Sequence, residues 1–162
     1  GETNLTDGEY LGYQLFLKEG GDPEVNPGGE FGADCFHCHG EAGLQFSDYL
    51  FHNNGLDSSF ENDPGRVNVT GFVLDSGLFK TPTLRNVALS APYMHDGRFT
   101  SLEDVIEHYN SGGVSSSTID PFMKYTTGGL ALAPQQKEAI IAFLHALTDT
   151  TFIQNPNFLD PH

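Results

Sequence analysis

Cysteine is almost missing from this sequence: the only two, Cys35 and Cys38, are separated by two residues. No third thiol remains to pair with either, so no disulfide framework exists. Tryptophan is absent altogether, and basic residues are scarce. Seven Lys and Arg face 22 Asp and Glu, a formal net charge of −15. A surface of that sign excludes nucleic acid and anionic membranes as partners, and leaves basic proteins and divalent cations open. No apolar run approaches the ~20 residues of a spanning helix, so no membrane span is expected.

Hydrophobic residues make up 38% of the 162, enough for one globular domain and too many for a disordered chain. Nineteen Gly and nine Pro predict many turns and long structured loops. Thr6 followed by Glu9 reads as a capping box, and Leu11 and Leu15 carry that helix towards Gly20 and Gly21. A Gly/Pro/acid loop over residues 20–33 leads into the cysteines. Residues 45–79 are irregular, with room for one short hairpin around Val67–Val73. Ser101 and Asp104 open a helix whose Leu102, Val105, Ile106 and Tyr109 share a face, ending near Gly112. Pro134 opens the last helix, with an apolar stripe of Ala139, Ile140, Phe143, Leu144 and Leu147. The expected fold is mostly α, with one domain over residues 1–149 and a peripheral extension over 150–162.

Cys35-Phe36-His37-Cys38-His39 is CxxCH, the attachment signature of c-type haem. Each thiol adds across one haem vinyl group, the two intervening residues span the gap, and the adjacent His is delivered to the iron as proximal ligand. Zinc is the rival reading, but a structural zinc site needs a second ligand pair at matching spacing and no second Cys pair exists. A redox CxxC is weaker still, since nothing reads as a βαβ unit. The expectation is a cytochrome c-like helical domain around one covalent haem c held by Cys35, Cys38 and His39. His37 reads as a surface residue at the haem edge.

A second block is more specific. Phe79-Lys80-Thr81-Pro82-Thr83-Leu84-Arg85-Asn86-Val87-Ala88-Leu89 runs into Ala91-Pro92-Tyr93-Met94-His95-Asp96-Gly97. With the CxxCH and Phe51-His52-Asn53, it resembles the C-terminal haem domain of bacterial dihaem cytochrome c peroxidases and MauG-like proteins, from about Thr6 to Asp149. That resemblance implies a periplasmic, exported protein working with a second haem domain or a redox protein partner, and with hydrogen peroxide. It implies that Arg85 meets a haem propionate, where a guanidinium fork is apt. It also implies that the backbone carbonyls of Ser90 and Pro92 help hold calcium, and that His95 packs near the haem. The chain departs from the family in its single CxxCH and in its lack of Trp, so a two-haem mechanism cannot run on it alone.

Function then turns on the sixth iron ligand. Tyr109 falls in register with the axial Tyr of MauG and the axial Met of the peroxidases, and is the first choice. Met123, in the loop before the last helix, is the alternative. Met94 reads as packing, and His52 and His108 as remote chances for bis-His ligation. A Met ligand raises the iron potential and suits a reversible carrier. An open site would admit peroxide and need an acid/base within reach, for which His52 and His95 are the candidates. The expected function is single-haem electron transfer. A haem peroxidase, or a redox module docking on a separate enzyme, is the alternative.

Overall fold

The computed structural model describes residues 4–21, 31–40 and 45–158. Most of the Gly/Pro/acid loop expected before the cysteines lies outside them. In chain order the elements are α1 (Asp7–Phe16), α2 (Phe36–His39), β1 (Phe51–His52), α3 (Val67–Thr70), β2 (Phe79–Lys80), α4 (Leu102–Ser111), α5 (Pro134–Ala146) and α6 (Thr150–Ile153). Helix dominates, and loops carry much of the remainder.

The helices start where their caps dictate. Thr6 Oγ1 accepts from the Glu9 N–H at 3.3 Å while Glu9 returns a carboxylate to the Thr6 N–H at 2.7 Å, a complete capping box. Ser101 caps α4 by accepting from the Asp104 N–H at 3.1 Å. Gly112 ends that helix at φ 91°, and a Cβ there would fall 1.9 Å from the Tyr125 carbonyl oxygen. Only glycine fits the left-handed conformation and the close loop together. Pro134 occupies the first turn of α5, where its missing N–H costs nothing.

The core is built where α1 crosses α5, the most extensive packing between elements. Phe16 and Ile140 are wholly buried, and Leu15, Ala139, Phe143 and Leu144 lie beside them. The Phe16 and Phe143 rings meet edge to face at 5.3 Å. Gly12 lets the helices approach, since a Cβ there would sit 1.9 Å from the Ala139 carbonyl oxygen. Leu102 and Ile106 of α4 close the same core.

The hairpin expected around Val67–Val73 is not there. That stretch forms the short helix α3, closed by Gly71 at φ 69°, and a 3-10 turn at Val73–Asp75. Asp75 gathers the Thr70 hydroxyl at 2.7 Å and the Arg66 guanidinium at 3.2 Å, which favours the compact turn over an extended pair. The two-stranded antiparallel sheet pairs β1 with β2 instead, Phe51 opposite Lys80 and His52 opposite Phe79.

Candidate functional site

Seven stretches of the chain meet around one cavity of about 470 Å³, a volume within the range of small-molecule and cofactor sites. Phe16, Leu84, Val87, Leu102, Ile106, Ile140 and Leu144 supply an apolar wall. Cys35, Cys38, His39, His52, His95, Tyr109, Met123, Ser90 and Pro92 all line the same space. Residues from Phe16 to Leu144 are thus brought to one place. Arg85 is not among the lining residues. Its guanidinium lies 5.3 Å from the Phe46 ring centroid.

The CxxCH segment folds as one helical turn, α2, so its side chains fan out. Both thiols are free. Burial, reinforced by Asp34, pushes the Cys35 thiol up to about 12. Burial with the nearby Asp120 and Asp48 does the same to Cys38, also to about 12. Such thiols stay protonated at neutral pH, which speaks against a reactive redox dithiol. Among the described residues no ligand cluster unites Cys35, Cys38 and His39; Cys38 instead stands with Asp48 and His52.

His39 has one ring nitrogen committed to the backbone. Its Nδ1 sits 2.9 Å from the Phe46 carbonyl oxygen, so it donates there and leaves the Nε2 lone pair free. Burial lowers its pKa and keeps the imidazole neutral against the pull of that hydrogen bond. Thiols, neutral imidazole and apolar walls together fit a covalently attached haem. His37 turns to other partners, stacking on Phe122 at 4.1 Å and standing 3.2 Å from both Glu19 and Asp34.

Across the cavity, His52 is clamped between two carboxylates. Its Nδ1 lies 2.5 Å from Asp120 and its Nε2 2.8 Å from Asp48. Burial works against the charged ring, but the two carboxylates outweigh it and the pKa is raised. Both nitrogens therefore carry protons, and neither has a lone pair to offer. His95 stacks on Phe79 at 3.6 Å, with Asp63 at 3.7 Å. His108, neutral through burial, donates from Nε2 to the Asn54 carbonyl at 2.9 Å.

Tyr109 projects from α4 and its hydroxyl accepts from the Asn54 amide at 3.2 Å. Burial raises its pKa, against the lowering effect of that hydrogen bond. Met123 rides on a loop pinned on either side of it. Asp120 is held by His52, Phe122 by His37, Lys124 by Glu19 at 2.6 Å and Asp34 at 3.2 Å, and the Tyr125 hydroxyl donates to the Gly20 carbonyl at 2.8 Å. Ser90 and Pro92 follow the 3-10 turn Val87–Leu89, where the Ser90 hydroxyl donates to the Val87 carbonyl at 2.9 Å. The carboxylate clamp of His52 had no signal in sequence, because Asp48 and Asp120 lie far apart in the chain. Phe46 acts through its backbone, which no residue pattern displays.

No family model matches the chain. The chain is 43% identical over 145 residues to the cytochrome-c peroxidase IdrP1 of Pseudomonas sp. strain SCT, covering 72% of this chain and 37% of that protein. It is 31% identical over 115 residues to the methylamine utilization protein MauG of Methylorubrum extorquens, covering 71% of this chain and 31% of that one. Among solved structures, a MauG-like protein associated with microbial copper homeostasis superposes with a TM-score of 0.81 and 34% identity. That match covers 99% of this chain and 53% of the other. The chain belongs to the cytochrome c peroxidase/MauG family. The diheme peroxidase BthA of Burkholderia thailandensis, at 19% identity and a TM-score of 0.62, shares the fold. The chain spans about a third of these peroxidase and MauG relatives and about half of the solved MauG-like protein. Among the described residues no helix is long and apolar enough to cross a membrane.

Proposed function

We propose that this chain is a single-haem c-type domain whose work is electron transfer within a cytochrome c peroxidase/MauG-like protein. The observation that carries the reading is the meeting of two free thiols and a neutral, carbonyl-oriented imidazole on one apolar cavity. Cys35 and Cys38 would hold haem c through two thioether bonds, and His39 would present Nε2 to its iron. When bound, the haem supplies a one-electron iron couple, and supplies a site for hydrogen peroxide if one iron face is open. The protein's own residues do the positioning. Phe46 fixes the His39 tautomer, and the apolar wall excludes water. Tyr109 is the first choice as second axial ligand, with Met123 the alternative. Arg85 stands outside the cavity lining, so its assignment to a propionate rests on the family likeness alone, as does that of the Ser90 and Pro92 carbonyls to a calcium ion. Residues 1–149 form the haem domain and 150–162 an extension. Export to the periplasm accompanies the family, and the acidic surface suits a basic redox protein or a second haem domain as partner.

The test is the intact mass of protein expressed with a haem-attachment system. A species heavier by one haem is expected, lost in Cys35→Ala/Cys38→Ala. Protein that stays haem-free under those conditions would sink the reading. Calorimetry with calcium tests the Ser90 and Pro92 assignment, with heat of binding expected and a flat titration against it.

A second reading is peroxide reduction, favoured by the 43% identity to a cytochrome-c peroxidase. In that case His52, protonated between its carboxylates, would serve as a proton donor rather than a base, and His95 would stand beside it. Rapid bleaching of the haem spectrum, or turnover of a reduced donor on adding hydrogen peroxide, separates this from a carrier.

A further inference from the structure

Asn54 precedes Gly55 in an Asn-Gly pair, and its side chain reaches residues far along the chain. Its side-chain nitrogen lies 3.2 Å from the Tyr109 hydroxyl and 3.4 Å from the Met94 sulfur. An amide NH2 has two hydrogens and a thioether can only accept, so the amide must face both groups with its nitrogen, one hydrogen to each. The phenol oxygen and the thioether sulfur are therefore near neighbours, and both residues line the cavity.

The backbone that carries the amide is held in place. The Asn54 carbonyl accepts from His108 Nε2 at 2.9 Å, tying it to α4, the helix that carries Tyr109. The preceding Asn53 is buried, donating to the Ser116 hydroxyl at 3.0 Å and the Thr118 hydroxyl at 3.1 Å. Its Oδ1 accepts from the Gly55 N–H at 3.0 Å, so residues on both sides of Asn54 are fixed. Met94 carries a second mark. Its backbone sits at φ 71°, a left-handed conformation that costs a non-glycine residue energy. Strain of that kind is kept where surrounding structure enforces it, often at functional positions.

We propose that Asn54 is a positioning residue that selects between Tyr109 and Met94 as alternative ligands on the far side of the haem. This rests on the reading of Tyr109 as axial ligand. A donor aimed at the phenol oxygen favours that oxygen when it carries negative charge, as a ligand to ferric iron does. The same amide occupies the sulfur with a weak bond and holds it back. Removing the donor weakens the phenolate side and releases the thioether. Met94, rather than the loop residue Met123, is then the sulfur ligand in waiting.

The test uses the haem-loaded protein and reads its ferric absorption and low-temperature electron paramagnetic resonance spectra. The wild type should show Tyr ligation, lost in Tyr109→Phe. Asn54→Leu should raise the Met-ligated fraction by about tenfold or more, gaining the weak red band of Met–iron bonding. Asn54→Asp, of the same shape but unable to donate when ionised, should move in the same direction and serves if the Leu variant does not fold. Adding Met94→Leu to either should abolish the gained band. An unchanged spectrum in both Asn54 variants overturns the proposal. So does a gained band that survives Met94→Leu and disappears with Met123→Leu. A wild-type spectrum insensitive to Tyr109→Phe overturns the axial reading itself, and the selection role with it.

Discussion

At His39 one hydrogen bond decides what the residue can do. With Nδ1 committed to the Phe46 carbonyl, Nε2 is the only nitrogen with a lone pair facing the cavity. His39→Ala should therefore keep the covalent haem on Cys35 and Cys38 and lose the native ligated spectrum. Mass and absorption measured on one sample check this, and an unchanged spectrum would reassign the proximal ligand. The His52 clamp makes a pH prediction. Its folded pKa is raised above the ~6.5 of an unfolded His. The stability it confers is then full below about pH 6.5 and fades as pH rises through the folded value. Asp48 works in the opposite sense. Burial raises its pKa, but its hydrogen bonds, led by the Leu50 N–H and including His52, outweigh this and lower it. Its share is present above the ordinary carboxylate range and is lost as pH falls through the lowered value. Urea midpoints of the wild type and His52→Gln should differ most in mildly acidic to neutral solution and converge in alkali. A difference that stays constant from pH 5 to 9 would mean the clamp is not ionised. Cys35, Cys38 and His39 were legible because CxxCH is a covalent code with fixed spacing. The clamp and Asn54 were not, because Asp120 reaches His52, and Met94 and Tyr109 reach Asn54, only after the chain folds back over 40 to 68 residues.

At the level of elements, local chemistry spoke clearly wherever a cap or an apolar stripe was involved. Thr6, Ser101, Gly112 and Pro134 each mark a helix end in sequence and occupy it in the fold. The hairpin reading failed at Val67–Val73 for a tertiary reason. Asp75 draws in Thr70 and Arg66, and Gly71 supplies the left-handed cap, so a helical turn wins over β-propensity. Strand pairing of Phe51–His52 with Phe79–Lys80 was hidden because both segments are only two residues long. The α1–α5 crossing gives the sharpest mutational test. Gly12→Ala pushes a methyl group onto the Ala139 carbonyl and must spread the helices. Overpacking of this kind costs about 1–3 kcal/mol, and the melting temperature should fall by roughly 3–10 °C. Ser101→Ala, which removes only an exposed cap, should cost about 1 kcal/mol. If the two variants melt together, the crossing is looser than the Gly12 geometry requires.

For the molecule as a whole, the cavity sets the balance between cofactor and fold. A space of about 470 Å³ lies between α1, α4 and α5, the helices that supply the core. Unfilled apolar volume costs ~24 cal/mol per Å³, which gives an upper limit of ~11 kcal/mol for a cavity this size. The limit is not reached, because the wall also carries polar groups and water can enter. Even a fraction of it is large against the ~5–15 kcal/mol that holds a domain together. A haem joined by two covalent bonds would fill that volume with apolar contact and cannot dissociate. Cys35→Ala/Cys38→Ala, made without haem, should keep much of its helical signal in the far ultraviolet. It should lose near-ultraviolet structure, bind a hydrophobic dye and unfold without a sharp transition, the marks of a molten globule. The haem-loaded protein should unfold cooperatively under the same conditions. A haem-free variant that melts sharply, within a few degrees of the loaded protein, would show that the α1–α5 core is self-sufficient and that the cavity walls close over the space.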